Sequence, residues 1–312
     1  MSGEMELRLF TEPYHGATYD ELARAARHAE ECGFEGFFVA DHYHPMHYTD
    51  ALPGPTDTWT TLAGLARETS RIRLGTLMTS ATFRHPGPLA VTVAQVDAMS
   101  GGRVELGLGA GWFALDHSAY GIPFPPPAER FERMEEQLQI VTGLWATPPG
   151  ERFSYEGRHY RLTDSPALPK PVQRPGVPII VGGRGPRRTP GLAARYADEF
   201  NLPFTSPGQS ADLFAGARAA REAVGGPPLI LSVCLGIASG RTESEIDTRL
   251  ALLREPSRLP PEEPLHGPPG KIVDVLGQYA DLGASRVYVR LRDLSDLDHL
   301  DLLAAEVAPQ LS

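Results

Sequence analysis

Short apolar runs alternate with stretches of helical spacing along the chain. Leu7 to Phe10 is apolar and stops at Thr11-Glu12-Pro13, which predicts a strand. Behind the capping candidates Thr18 and Asp20, residues Leu22, Ala25, Ala26 and Ala29 recur at helical spacing, and Gly33 ends the run. Gly36-Phe37-Phe38-Val39-Ala40 is continuously apolar, as a parallel strand covered on both faces should be. The same grammar predicts helices over 59–69 and 89–99, and strands over 72–76 and 104–109. A helix starting near Glu129 puts Phe131, Met134, Leu138, Val141 and Trp145 on one stripe. The second half adds strands at 179–182, about 200–202, 229–237 and 287–289, with helices over 189–196, 210–224, 244–253 and 272–282 and a last one from Leu297. Eight strands separated by helices predict an α/β fold, a closed (β/α)8 barrel forming one domain over 1–312. Insertions are expected at about 110–127 (a long loop), 150–164 (a hairpin) and 254–269 (a proline-rich lid on the rim).

Composition narrows the class. A chain of 312 residues with 41% apolar content suits one barrel with a sizeable core. The formal charge of −10 argues against nucleic-acid binding. Cys32 and Cys234 sit in apolar surroundings and make no disulfide framework. No apolar run is long enough for a signal or a membrane span, so the expected location is cytoplasmic.

In such a barrel the residues just after each strand converge at one end. Here they are Glu12, Asp41-His42-Tyr43-His44, Leu77-Met78-Thr79, Trp112, Gly182-Gly183-Arg184 and Asn201. Asp41 and His42 end a buried apolar strand, where a charged pair serves no packing purpose. An aspartate there can hold one imidazole tautomer, leaving the other nitrogen for a proton or a cofactor heteroatom. Gly182 through Arg188 joins a strand to a helix, so backbone N–H groups, the helix start and Arg184, Arg187 or Arg188 suit a phosphate-bearing tail. The G-x-G-x-x-G spacing is missing. Gly107, Gly109 and Gly111 remove side chains where a flat ligand would lie, with Trp112 as its wall. Together, 73–112 predicts a planar redox cofactor resting on backbone. His42, His44 and His47 with Asp41 and Asp50 also suit a metal, so a barrel metallohydrolase using His42 and His44 is a more distant alternative. Against it, the strands at 179–182 and 229–237 end without a histidine. No G-x-S-x-G elbow is present.

These residues resemble the bacterial luciferase-like oxidoreductase superfamily, specifically its coenzyme F420-dependent branch, from Leu7 to about Ala308. The matching motifs include Phe37 through His42, Arg73-Leu74-Gly75-Thr76 with Thr82-Phe83-Arg84-His85-Pro86, and Ser100-Gly101-Gly102-Arg103 with Gly107 through Trp112. Tyr120-Gly121-Ile122-Pro123-Phe124-Pro125 leading to Glu129-Arg130-Phe131, and Gly182-Gly183 through Asp198, match as well. The resemblance implies a barrel that binds coenzyme F420, or alternatively FMN, at the strand carboxyl ends. It implies a non-proline cis peptide at Leu77-Met78, with Thr79, Ser80 and Thr82 lining the ring, and Gly182 and Gly183 meeting the phosphate. Asp41 and His42 would reach the deazaflavin hydroxyl and the reaction face. Where the deazaflavin sugar-phosphate dehydrogenases of this family carry a glutamate after the fourth-strand glycines, this chain has Trp112, so their proton relay is not carried over. His42 and Glu12 are then the expected catalytic residues, with Asp116 and His117 as further candidate proton donors. The expected activity is hydride transfer between the deazaflavin and a small organic substrate; the alternatives are an FMN-dependent monooxygenase and an accessory protein without turnover. A homodimer through the small-residue helices at 59–69 and 89–99 is the expected assembly.

Overall fold

The computed structural model describes residues 5–46, 50–255 and 263–311. The barrel strands are β1 (Glu6–Thr11), β2 (Gly36–Val39), β3 (Arg73–Thr76), β4 (Val104–Gly109), β5 (Ile179–Gly182), β6 (Glu199–Pro203), β7 (Ile230–Ser239) and β8 (Ala284–Leu291). They pair in parallel in chain order and close where β8 meets β1, Leu9 lying between Val289 and Phe37. This is the predicted (β/α)8 barrel.

The surrounding helices are α1 (Tyr19–Cys32), α2 (Thr58–Glu68), α3 (Pro86–Ser100), α4 (Ala114–Tyr120) and α5 (Pro127–Ala146). They continue with α6 (Arg188–Tyr196), α7 (Pro207–Val224), α8 (Glu243–Leu253), α9 (Pro269–Asp281) and α10 (Leu297–Glu306). In α1 a reciprocal cap joins Thr18 and Glu21, and Gly33 closes the helix at φ 88°. Such a cap contributes about 1 kcal/mol. Helices α3, α5, α7 and α9 begin at or before the predicted residue because each opens on proline. A proline at the first helical position loses nothing, since that N–H has no intrahelical acceptor.

The amino-terminal end of the barrel is filled by charge. Arg8 is fully buried; it donates to Glu105 at 2.8 Å and to Glu6 at 2.7 Å, while Arg286 reaches Glu199 at 2.6 Å. Arg73 also pairs with Glu105. Ions removed from water are tolerable only when paired this completely. A 740 Å³ depression at this end is lined by the same groups.

Two insertions differ from expectation. The predicted loop at 110–127 contains α4. Its ends are drawn together by the Arg130 guanidinium, which donates to Gly111 O at 3.1 Å and Pro125 O at 2.6 Å. The lid candidate at 254–269 falls partly at 256–262, outside the described residues; beyond it, Leu265–Gly267 forms a strand beside β7. The predicted hairpin is present, Phe153–Glu156 against Arg161–Ser165. Among the described residues no helix is long and apolar enough to cross a membrane.

Candidate active site

The chemistry gathers where β2 ends. Asp41 and His42, just past the end of the strand, engage different partners. Asp41 is not the carboxylate that holds the imidazole. That role falls to Asp116 of α4, whose Oδ2 lies 2.6 Å from His42 Nδ1. Its Oδ1 accepts the backbone N–H groups of Tyr43 at 3.0 Å and His44 at 2.8 Å. Asp116 is fully buried and spends both oxygens on the segment that carries His42. A carboxylate at Nδ1 fixes the tautomer with its proton there and leaves Nε2 for chemistry. Nε2 has no hydrogen-bond partner among the described residues.

Asp41 has its own partners. Its Oδ2 accepts from Thr79 Oγ1 at 2.8 Å and pairs with Arg84, which is also held by Asp57 at 2.8 Å. Thr79 in turn accepts from Trp59 Nε1 at 3.1 Å, so this threonine is wired into the protein. The other carboxylate oxygen, Asp41 Oδ1, is buried and has no hydrogen-bond partner among the described residues. Such an atom costs roughly 1–3 kcal/mol unless a ligand satisfies it. The Leu77–Met78 peptide is cis, where the family resemblance places it, and the chain then rejoins the sheet with Thr79 opposite Leu108 and Ser80 opposite Gly109.

The glycines divide by purpose. A Cβ on Gly107 would lie 2.0 Å from Thr76 O, and one on Gly182 would lie 2.4 Å from Met78 Cε. These two are demanded by the barrel itself. At Gly111, with φ +79°, a Cβ would lie 2.3 Å from Ser80 Oγ, which bonds Thr82 Oγ1; Thr82 continues to His117 Nε2 at 2.6 Å. His117 sends Nδ1–H to Phe113 O, and burial lowers its pKa. It is a receiver in this chain of hydroxyls, which removes it as the donor of first resort. Gly109 differs: a Cβ would meet only Met78, at 3.8 Å.

Glu12, one of the two expected catalytic residues, is held as a paired carboxylate. Burial would raise its pKa, but Arg290, Arg292, His15 and the Tyr14 hydroxyl outweigh this and bring it down to about 2. Tyr14 donates to Oε1 at 2.6 Å and Arg292 to Oε2 at 3.2 Å. Near neutral pH it is a fixed anion.

At the proposed phosphate end, Gly183 N–H is already donated to Asn201 O at 3.0 Å, so it cannot meet an anion. Asn201 itself lies within β6 and donates to Ser232. What remains is the first turn of α6, which has no side-chain cap, together with exposed Arg184, Arg187 and Arg188. The metal reading fails on placement. Among the described residues the ligand atoms that converge in a group of three are those of His28, Cys32 and Asp301, not those of His42, His44, Asp41 or Asp50. His47 lies outside the described residues.

Asp116 acts through position, and sequence alone offered it only as one acid among several. Arg84 stood inside a quoted motif with no role. A buried aspartate needs a cation or N–H donors, and Arg84, just before α3, was the available signal.

Residues 5–268 match the family model described as luciferase-like monooxygenase. An F420-dependent glucose-6-phosphate dehydrogenase of Microbacterium testaceum is 35% identical over 227 residues, covering 70% of this chain and 59% of that protein. A protein of the same name from Intrasporangium calvum is 28% identical over 339 residues, covering 93% and 94%. A solved F420-dependent secondary alcohol dehydrogenase in complex with an F420-acetone adduct shares the fold at TM-score 0.83, with 18% identity, covering 99% of this chain and 100% of that one. In the matches with the Microbacterium, Kineococcus and Nakamurella proteins, the chain spans only 59%, 63% and 54% of their length. With more than half its length matched by the family model, the chain belongs to the luciferase-like monooxygenase family.

Proposed function

We propose that this chain is a coenzyme F420-dependent oxidoreductase acting on a small organic substrate. Two observations carry the reading: His42, fixed by buried Asp116 with Nε2 unengaged, and the unsatisfied Oδ1 of the adjoining residue Asp41, which faces a different set of partners. A buried acceptor without a donor suits a ring that brings a hydroxyl, as the deazaflavin does. The dimethyl edge of FMN offers it nothing, and this favours F420 over the FMN alternative. Asp41, the backbone of Leu77 and Met78, Gly109 and Gly111 would hold the ring, with Trp112 at its edge. The first turn of α6 with Arg184, Arg187 and Arg188 would hold the tail. The relatives' names support the same cofactor.

When bound, F420 supplies two-electron hydride chemistry. The chain's own part is the proton. His42 Nε2 accepts it from a substrate hydroxyl in the oxidative direction and returns it in the other, an effect worth about 10²–10⁴-fold. Asp116 keeps the lone pair on Nε2 and the ring in place. Glu12, paired with Arg292 and accepting from Tyr14, is a fixed structural anion at the end of β1. A cytoplasmic homodimer through the small-residue helices fits this reading, although Gly64 of α2 makes room within the chain for Tyr19. A Cβ there would lie 2.4 Å from the Tyr19 hydroxyl.

The test is a pair of titrations of purified protein, one with F420 and one with FMN, followed by oxygen-uptake measurement. Tighter F420 binding and no oxygen uptake are expected. Tighter FMN binding with oxygen consumption on adding a reductant would replace this reading with the monooxygenase.

A further inference from the structure

Large aromatic side chains belong inside a barrel or against a ligand, and a contiguous exposed set near a reactive group marks a binding surface. Trp112 is 54% exposed, Tyr120 54% and Phe124 36%. They stand before, at the end of, and after α4, the helix that carries Asp116. Trp112 lies 5.9 Å from the His42 ring, edge to face. Tyr120 packs on Tyr43 at 5.3 Å, Tyr43 on Phe83 at 5.1 Å, and Phe83 lies 6.4 Å from His42. The exposed rings and the proposed proton carrier are therefore one array. The array is held in place: Asp116 grips Tyr43 and His44, and Arg130 ties both ends of the insertion while lying 4.0 Å over Phe124.

Two of the cations bordering this array are already ion-paired, and a third is tied to backbone. Arg84 is held by Asp41 and Asp57, Arg292 by Glu12 and Glu255, and Arg130 by two carbonyls. A phosphate dianion placed here would compete with Asp41 and Asp57 for Arg84 or with Glu12 and Glu255 for Arg292, and would lie against indole and phenol faces, which favour flat apolar groups and cations.

Resting on the reading above, we propose that the substrate is uncharged and presents a flat apolar group, best an aromatic ring, to Trp112. Sugar phosphates are excluded from this site. The reading thus departs from the glucose-6-phosphate dehydrogenases among the relatives.

Calorimetric titration of the F420-loaded protein with 1-phenylethanol and with glucose 6-phosphate tests this. Binding of the phenyl compound at least tenfold tighter than the sugar phosphate is expected. Trp112→Ala should weaken 1-phenylethanol at least tenfold and Trp112→Phe by less than threefold. An independent readout uses fluorescence without cofactor. Trp59 and Trp145 are 2% and 4% exposed, so emission quenched by iodide belongs to Trp112, and 1-phenylethanol should shield it. Tighter glucose 6-phosphate, or 1-phenylethanol binding unchanged in Trp112→Ala, overturns the proposal. Deazaflavin titration is run separately: failure to bind F420 sinks the cofactor reading, whereas normal F420 binding with a sugar-phosphate preference sinks only this one.

Discussion

Asp116→Asn is the sharpest perturbation of the site, because it changes one atom and reverses one proton. The buried side chain makes three bonds: Oδ1 to two backbone N–H groups and Oδ2 to His42 Nδ1. An asparagine keeps its carbonyl on the two N–H groups, since leaving both unsatisfied would cost roughly 1–3 kcal/mol each. Its NH₂ then faces His42 Nδ1, which must become an acceptor, so the imidazole proton moves to Nε2. The nitrogen facing substrate loses its lone pair. Turnover in the alcohol-oxidising direction should fall about 10²–10⁴-fold, equivalent to roughly 3–5 kcal/mol of barrier. The melting temperature should move by no more than about 2–4 °C, as expected for a loss near 1 kcal/mol in a chain of this size. Asp116→Ala provides the contrast. It orphans the Tyr43 and His44 N–H groups and should lower the melting temperature far more. Histidine nitrogen NMR reads the tautomer directly, alongside kcat for 1-phenylethanol or whichever alcohol is turned over. Wild-type turnover in Asp116→Asn, or a His42 proton still on Nδ1, would falsify the dyad.

Other consequences follow from the same geometry. Gly107→Ala drives a Cβ into Thr76 O and should cost several kcal/mol of stability by denaturant unfolding, whereas Gly109→Ala has ordinary room. The latter should fold normally yet weaken F420 by about tenfold, and unaltered F420 affinity would mean the ring lies elsewhere. Glu12→Gln breaks a buried pair with Arg292 and should destabilise by about 3–5 kcal/mol, a loss seen as a shifted urea midpoint. His299 gives a pH test. Burial and then Arg249 lower its pKa from 6.5 to about 4. Above 6.5 it is neutral in both folded and unfolded chains. As pH falls from 6.5 toward 4 the unfolded chain takes up a proton that the folded one refuses, so stability drops by up to about 3 kcal/mol. His299→Asn should flatten the urea midpoint across that window, and an unchanged slope would remove His299 as its source.

The barrel was legible because its strands are buried on both faces and so read as unbroken apolar runs, with Phe37 to Ala40 as the plainest case. The catalytic end was legible because charged residues at the close of such runs, Asp41 and His42, have no packing reason to be there. Their pairing was not. Adjacency in sequence suggested a dyad, but the two side chains engage different partners. The true partner comes from Leu115-Asp116-His117, a stretch too short to show helical periodicity, inside a glycine- and proline-bounded insertion. Only the folding back of that insertion, tied by Arg130 to Gly111 and Pro125, buries Asp116 under His42. The Gly183 misreading has a similar origin. Glycine permits an anion to approach, but whether its N–H is free depends on Asn201 O from the next strand.

The two ends of the proposed cofactor site meet charge in different ways, and this can be measured. Around the ring every carboxylate is buried and paired: Asp41 with Arg84, Asp116 with His42, Glu12 with Arg292. Salt screens such pairs little. The tail end offers only exposed Arg184, Arg187 and Arg188 at an uncapped helix start, where screening within about 8 Å at physiological salt is effective. F420 affinity should therefore fall with salt, while the same deazaflavin ring lacking its phosphate tail should bind more weakly but without salt dependence. Arg187→Ala with Arg188→Ala should lower F420 affinity about fivefold at low salt, roughly 1 kcal/mol for two exposed contacts, and make no difference at high salt. Equal salt dependence for the tailed and tail-less compounds would place the phosphate away from α6 and leave those arginines as surface charge.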